Sequence, residues 1–406
     1  HWQDDGVVVN TWDVTQADQR VCSDDTGGGY VLWRNYDDDL LVQHLDANGN
    51  RLFGDTGVYL TSTVEDEIPD ALVADGAGCA IAFYRYEQID GLYAKRVLPS
   101  GAVDWTITVC QYYLGEPVAI PAHDGGAIVT WQDARAGSVT DIYAQKIDTA
   151  GAMLWAPNGA AVVVWPAHQM YPQLLEDADG FVYFAWENAL SDVYCQRLNP
   201  QGVQQFPPSG LIVCRAPDYQ QDQKIVADGA GGALFCWADY REVVDIYATH
   251  YDSQGQIADP FWVWNGNPIC NAPVNQNYPQ MVSDGAGGAV MAWADSRGLY
   301  AQRINDFVSM REMAIALTPQ NSLLLRNSPN PFNPTTAISY QLEASNHVSL
   351  KVHDIAGRLV ATLVGGWREA GMHEITFDGS GLPSGIYIYR VATESWSETG
   401  KMILLK

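Results

Sequence analysis

The chain has 406 residues, 47% of them hydrophobic and 11% aromatic, a composition that excludes a mainly disordered polymer and leaves room for two or three domains. Its 22 basic and 48 acidic residues give a net charge of −26, which argues against nucleic acid as a partner because phosphate binding needs clustered Lys and Arg. No apolar run approaches the roughly 18 residues of a spanning helix, so no membrane span is expected.

The first residue is His1, without Met or a charged-then-apolar leader, which suits a mature chain or a tag remnant. From Thr318 onward there are 7 basic and 7 acidic residues, so the whole net charge lies before that point. Solvation of an extracellular surface accounts for it best, with Ca2+ or a cationic surface as alternatives. The seven cysteines, Cys22, Cys79, Cys110, Cys195, Cys214, Cys236 and Cys270, form no CxxC pair and no zinc spacing. Most are expected as buried small hydrophobes, with one or two disulfides as the alternative.

Aromatic residues recur at Trp33, Tyr84, Trp131, Trp186, Trp237 and Trp293, 51, 47, 55, 51 and 56 residues apart. An Asp precedes five of them by nine residues (Asp24, Asp75, Asp177, Asp228 and Asp284), and the third repeat has Ala122 instead. In the fifth repeat, DGAGGALFCWADYREVVDIYA invites a phosphate-loop reading. No helix follows the glycines, however, and they sit where a tight hairpin needs φ > 0. Each repeat divides into four strand-length pieces, and a period near 50 built this way is that of a propeller blade.

Most repeats also place an aromatic four residues before a Gly: Phe53 and Gly57, Trp155 and Gly159, Phe206 and Gly210, Trp262 and Gly266. Trp2 and Gly6 repeat that spacing at the chain start, while the sixth repeat lacks it. Gly6 to Asn10 is therefore expected as the outer strand of the last blade, closing the ring. The predicted architecture is all-β: a six-bladed β-propeller over 1–305 closed by an N-terminal strand, a linker over 306–325, and an Ig-like β-sandwich over 326–406.

In the last part, NSPNPFNPTTAISYQL, VHDIAGRLVATLV, GLPSGIYIYRV and KMILLK stand in order. On these motifs it resembles the C-terminal sorting domain of the type IX secretion system, related to the flagellar-hook-capping Ig-like module. The resemblance implies export across the outer membrane of a Bacteroidota-like bacterium, followed by release or surface attachment. The repeats resemble the tandem WxDxR…DIYAQR repeats of exported propellers, as in WQDAR then DIYAQK and WADSR then LYAQR. That likeness speaks to architecture rather than to function.

Two groups of residues are candidates for ligand binding. The Asp/Arg pairs Asp133 and Arg135, Asp239 and Arg241, Asp295 and Arg297 lie in the turn after the second strand. They read as a ligand or Ca2+ site or, better, as turn-stabilising pairs, since each brings an Arg to any cation. The blade-to-blade connections carry Trp12, Tyr112, Tyr113, Trp165, His168, Tyr171, Tyr219 and Tyr278, with Asp66, Glu116 and Asp218 among them. They read as a platform for glycan or peptide, or as packing at blade junctions. The chosen ligand-binding set is Tyr112, His168, Tyr171, Tyr219, Tyr278, Asp239, Arg241, Asp295 and Arg297, with no metal site, and no cofactor other than the Ca2+ alternative.

Without GxSxG, HExxH or a Cys/His pairing, no catalytic residue is assigned and no enzyme is expected. The expected function is that of a secreted or cell-surface structural or binding protein, self-assembling into a filament or layer in its most specific version. The alternatives are a glycan-binding propeller and a polysaccharide-degrading enzyme. Expected partners are other copies of the chain, the secretion machinery through residues 326–406, and glycan.

Overall fold

The computed structural model describes residues 2, 6–12, 15–135, 137–241, 243–258, 262–270, 272–304, 325–342, 345–354, 358–393 and 397–406. The linker expected over 306–325 lies, apart from Leu325, outside the described residues. Among those described, every regular element is a strand. The chain divides into two compact units, His1–Met310 and Arg311–Lys406.

Among the described residues the first unit holds six sheets, five of them four-stranded with strands adjacent in chain order. They are β1 to β4 (Ala17–Ser23, Gly29–Arg34, Leu40–Leu45, Val58–Tyr59), β5 to β8 (Glu67–Ala74, Ala80–Tyr86, Ile89–Val97, Val103–Cys110) and β9 to β12 (Tyr113–Pro121, Ala127–Asp133, Asp141–Ile147, Ala160–Val163). There follow β13 to β16 (Gln169–Glu176, Val182–Asn188, Val193–Leu198, Leu211–Cys214) and β17 to β20 (Gln220–Ala227, Ala233–Asp239, Asp245–Tyr251, Asn267–Cys270). The sixth sheet has three strands, β21 to β23 (Asn277–Ser283, Ala289–Asp295, Gly298–Ile304).

Successive side chains of a strand point to opposite faces, and in the second strand of the middle sheets both faces are covered. Ile81 and Phe83 share a buried cluster with Val129 and Trp131, Ile128 shares the next with Phe184 and Trp186, and Tyr183 and Ala185 share the one after with Phe235 and Trp237. Each strand therefore serves two cores, which is why the run leading up to its aromatic is mostly apolar on both faces instead of alternating.

The Asp nine residues before five of the six aromatics closes the hairpin into that strand. Asp228 Oδ1 accepts the amides of Ala230 (2.7 Å) and Gly232 (2.8 Å), and its Oδ2 lies 2.9 Å from His250 Nε2. Gly229 and Gly231 both have φ > 0, at 75° and 85°. Asp24, Asp75, Asp177 and Asp284 repeat the two amide bonds and face His44, Arg96, Arg197 and Arg303. The seven cysteines are free thiols, buried except for the half-buried Cys22.

The chain start departs from expectation. Gly6–Asn10 forms no strand and pairs with no strand of the last sheet; it lies against the first sheet. The carbonyl of Val8 accepts from Arg51 (3.1 Å) and that of Val9 from Gln43 (3.3 Å), so side chains take acceptors that a ladder would use. Trp2 does behave as an aromatic of a preceding sheet. Its Nε1 donates to Ala47 O (2.9 Å) and its ring packs on the Gly49 turn, as Trp155 donates to Pro200 O (3.0 Å) and packs on Gly202. On the last sheet Met291 and Trp293 are buried, whereas Val282 and Leu299 are 62% and 83% exposed.

The second unit pairs β24 (Arg326–Ser328), β25 (Thr335–Leu342) and β28 (Gly371–Asp378) in one sheet. The other holds β27 (Leu359–Arg368), β26 (Asn346–Asp354), β29 (Gly385–Ala392) and β30 (Ser397–Leu404), in that order. Both sheets contribute to one core, with Ile338, Tyr340 and Phe377 from the first and Val348, Leu350, Tyr389 and Met402 from the second.

Candidate functional site

The first strand of every sheet described in the first unit carries a bulge opposite the repeat aromatic. In the fourth sheet Met170 pairs with Glu187 and Gln173 with Ala185, so Tyr171 and Pro172 together oppose Trp186. The equivalent shifts set Asp18 and Gln19 against Trp33, Asp222 and Gln223 against Trp237, and Tyr278 and Pro279 against Trp293. In the second sheet Asp70 is the extra residue, and in the third the shift falls between Gly115 and Val118. Asp18, Tyr171, Asp222 and Tyr278 sit in the left-handed region, at φ of 57°, 55°, 58° and 57°. A bulge re-aims a side chain and is over-represented near functional sites.

Between the bulges of β13 and β17 lies a cavity of about 360 Å³, lined among others by Tyr171, Gln173, Glu187, Asp222, Gln223 and Lys224. Glu187 is buried, and its Oε1 accepts the Asp222 amide at 3.0 Å. Burial, helped by the charge of Asp222, pushes its carboxyl up to about 7 against the pull of that amide and of Lys224, so it is partly protonated near neutrality. Gln223 is 2% exposed; its Nε2 donates to Tyr171 O (2.6 Å), while its Oε1 is buried without a hydrogen-bond partner. Lys224 Nζ donates to the carbonyls of Asp222 (3.2 Å) and Gln223 (3.3 Å). The site combines an aromatic ring, an acid and an amine.

A second polar cluster joins the first three sheets through β1, β5, β6 and β9. Asp70 pairs with Arg85, whose guanidinium also donates to Tyr113 Oη (3.2 Å), and Arg20 Nε donates to Asp70 O (2.8 Å). Burial raises the Asp70 carboxyl to about 6 despite both arginines.

Of the residues chosen from sequence, Tyr171 alone lines the cavity, in a strand and not in a connection; Tyr278 holds the equivalent bulge in β21. Their side chains are 50% and 72% exposed. Tyr112 is exposed, with the Arg135 guanidinium 5.2 Å from its ring, and His168 Nδ1 lies 3.1 Å from both the amide and the hydroxyl of Thr140. Tyr219 is exposed, edge-on to Tyr240 at 6.3 Å. Glu116 is in β9, where its side chain lies outside the described ones.

The Asp/Arg pairs are occupied by their own turns. Asp239 accepts Trp237 Nε1 (2.8 Å) and both the amide (3.1 Å) and Nε (2.8 Å) of Arg241, whose guanidinium lies 4.0 Å from the Tyr247 ring. Asp133 and Arg135 repeat this against Trp131 and Tyr143, and Asp295 and Arg297 against Tyr300. The fourth sheet has Asn188 in place of the Asp, and Arg215 from beyond its last strand faces Tyr194 instead. Among the described residues no group of three His, Cys, Asp or Glu is placed to hold a metal ion.

Sequence reasoning passed over Glu187, Asp222, Gln223 and Lys224. The available signal was the residue after each aromatic: a Glu stands there in an otherwise apolar strand, where other repeats have Arg34, Arg85, Gln132, Ala238 and Ala294.

Residues 328–405 match the family described as secretion system C-terminal sorting domain. The protein is exported. Type IX export places it on the outer cell surface or releases it outside the cell, and implies an interaction with that secretion machinery. No helix is long and apolar enough to cross a membrane.

No curated protein matches the chain. Among solved structures it is similar to PorZ, a surface component of the type IX secretion system of Porphyromonas gingivalis (14% identity, TM-score 0.38), over 98% of this chain and 57% of that one. The chain thus spans little more than half of PorZ. It is also similar to an endo-arabinase from Bacteroides thetaiotaomicron (11% identity, TM-score 0.36, 75% of this chain and 98% of that one). A third is an ulvan lyase of polysaccharide lyase family PL25 (9% identity, TM-score 0.41, 90% and 97%). At these scores the likenesses decide neither the fold nor the activity of this chain.

Proposed function

We propose that this exported chain is a non-catalytic binding protein, in which residues 1–305 form a six-bladed β-propeller carried by an Ig-like sorting domain over 326–406. The cavity between β13 and β17 is its ligand site. The propeller reading is supported by the first five sheets, whose facing sides share buried clusters in order, and by Trp2, which contacts the first sheet as an aromatic of a preceding blade would. The observation that carries the binding role is the cavity itself, where the half-exposed Tyr171 ring stands beside the buried Glu187 carboxyl and the Lys224 amine.

The test is a thermal-shift screen of the full chain against a small-molecule and saccharide library, repeated on Tyr171→Ala. Ligands that raise the unfolding temperature of the wild type and not of the variant support the reading. A library without any stabilising member sinks it. Self-association remains a second reading because Val282 and Leu299 leave the last sheet with exposed apolar side chains; light scattering that finds only monomer over a broad concentration range removes it.

A further inference from the structure

We infer that the fourth sheet holds a second site, a slot of about 160 Å³ at the Tyr194 ring that takes a flat, uncharged aromatic group from outside the chain. It shares no lining residue with the cavity between β13 and β17 and stands apart from the reading of that cavity.

In the third, fifth and sixth sheets the chain fills the same place itself. The planar guanidinium of the turn arginine lies over the tyrosine of the following strand, Arg135 at 3.7 Å from the Tyr143 ring centroid, Arg241 at 4.0 Å from Tyr247 and Arg297 at 4.6 Å from Tyr300. Arg135 and Arg241 also donate to the carbonyl just before the glycine of the outer turn, Asn158 O at 2.6 Å and Asn265 O at 2.8 Å.

The fourth sheet keeps this frame. Tyr194 stacks on Trp186 at 6.0 Å as Tyr247 does on Trp237 at 6.4 Å, so the other face of each ring is the one a flat group covers. A Cβ on Gly210 would stand 2.5 Å from Trp186, as one on Gly266 would from Trp237. The two turns close alike, Gly210 N donating to Pro207 O (2.7 Å) and Gly266 N to Val263 O (3.0 Å). Half-buried Ser209, which lines the slot, therefore brings its carbonyl to the place from which Asn265 O accepts Arg241.

What the fourth sheet lacks is the filler. Leu190 stands where the arginine would, two residues after Asn188, and is 73% exposed. Asn188 is spent on its own turn, accepting the amides of Leu190 (2.9 Å) and Asp192 (3.0 Å). Arg215 does not cover the ring: its guanidinium carbon is 5.7 Å from the centroid, and it holds the Tyr194 hydroxyl and Asp192 Oδ2 (3.2 Å).

The charges at the slot select a neutral occupant. A guanidinium from outside would meet Arg215 and would find the Asn188 amide where Arg241 finds the Asp239 carboxylate. A carboxylate would meet Asp192. Those two residues offset one another, so an uncharged group leaves no charge unpaired. An aromatic ring stacks on the open face of Tyr194 with the exposed Trp165 at the rim, and an N–H or O–H on its edge meets the Ser209 carbonyl. The volume is well below the roughly 300 Å³ at which pockets for whole ligands begin, which fits a single ring system such as indole or phenol.

The experiment is a saturation-transfer NMR titration of the full chain with indole, 1-methylindole, the peptide Gly-Trp-Gly, methylguanidinium and benzoate. Indole should bind, and the two ions should not. Binding of Gly-Trp-Gly as well would assign the slot to a side chain of a partner, and its failure beside indole would assign it to a free aromatic compound; both support the inference. 1-Methylindole has no N–H and should bind several-fold more weakly, and equal binding would overturn the Ser209 contact. The double variant Asn188→Asp, Leu190→Arg rebuilds the Asp-x-Arg turn of the fifth sheet and should close the slot, lowering indole affinity at least tenfold. Tyr194→Leu, which puts there the residue type that the first sheet has at Leu41, should weaken it about tenfold. Unchanged circular dichroism shows that each variant is folded. Indole binding that survives both variants places the ring elsewhere and overturns the inference, as does binding of either ion in preference to indole or of no probe at all.

Discussion

Lys146 Nζ lies 2.9 Å from Glu176 Oε1, and the two residues belong to different sheets, β11 and β13. The third repeat has Ala122 where the others have the turn Asp, and the neighbouring sheet supplies the missing carboxylate. Its second oxygen accepts the His123 amide at 2.6 Å, taking over part of the turn closure that the Asp performs elsewhere. Lys146 is also 2.8 Å from Asp124, whose side chain is largely in solvent.

The Lys146 and Glu176 side chains are 4% and 1% exposed, so removing one leaves the other buried and unpaired. Glu176→Ala should cost about 3–5 kcal/mol of stability. Asp124→Asn, at the exposed end of the same network, should cost about 1 kcal/mol or less. Urea unfolding of the full chain compares the two; equal costs would show that the exposed contact carries the pair.

Asp24 and Asp228 are expected to contribute to the acid limb of the stability curve. Burial alone would raise both carboxyls, but hydrogen bonds from His44 or His250 and from the turn amides outweigh it, holding Asp24 at about 2 and Asp228 below its usual value. A folded value below the unfolded one, about 3.9, means stabilisation that is present above about pH 4 and disappears as pH falls toward 2. An Asp24→Asn, Asp228→Asn double variant should be less stable at neutral pH and should lose less on acidification. Unfolding followed from pH 6 to pH 2 checks the slope, and parallel curves would refute the assignment.

Gly210 and Gly229 have nearly the same φ, 77° and 75°, but different surroundings. A Cβ on Gly210 would stand 2.5 Å from the Trp186 ring and 2.8 Å from Cys195 O, whereas one on Gly229 meets nothing within 4 Å. Gly229→Ala should cost only the left-handed backbone penalty of about 1–2 kcal/mol. Gly210→Ala adds overpacking of about 1–3 kcal/mol to that. Equal midpoints in guanidinium would mean that the Trp yields freely.

Glu187 works in the opposite sense to the turn carboxylates. Its folded value of about 7 lies above the unfolded one, so its contribution is full below about pH 4.5 and is lost as pH rises through 7. Glu187→Gln should therefore be more stable than wild type at pH 8, by on the order of 1–3 kcal/mol. Near pH 5 the two should converge. A stability difference that does not vary with pH would show that the carboxyl titrates normally.

The strands, the turns and the sorting tail were legible in the sequence because each depends on a few neighbouring residues. Asp228 caps its own turn two and four residues on, Gly229 needs only its own φ, and Trp237 sits two residues before the Asp that accepts its indole N–H. The tertiary structure decided what depends on a neighbour. Tyr171 reads from the sequence as a connection residue, yet it lies in β13 and its bulge shows only in the pairing with β14, and Glu187 becomes an acid near neutrality only because β17 buries it beside Asp222. Gly6–Asn10 has the residues of a strand, but strand formation requires a partner, and Gln43 and Arg51 of the first sheet hold its carbonyls instead.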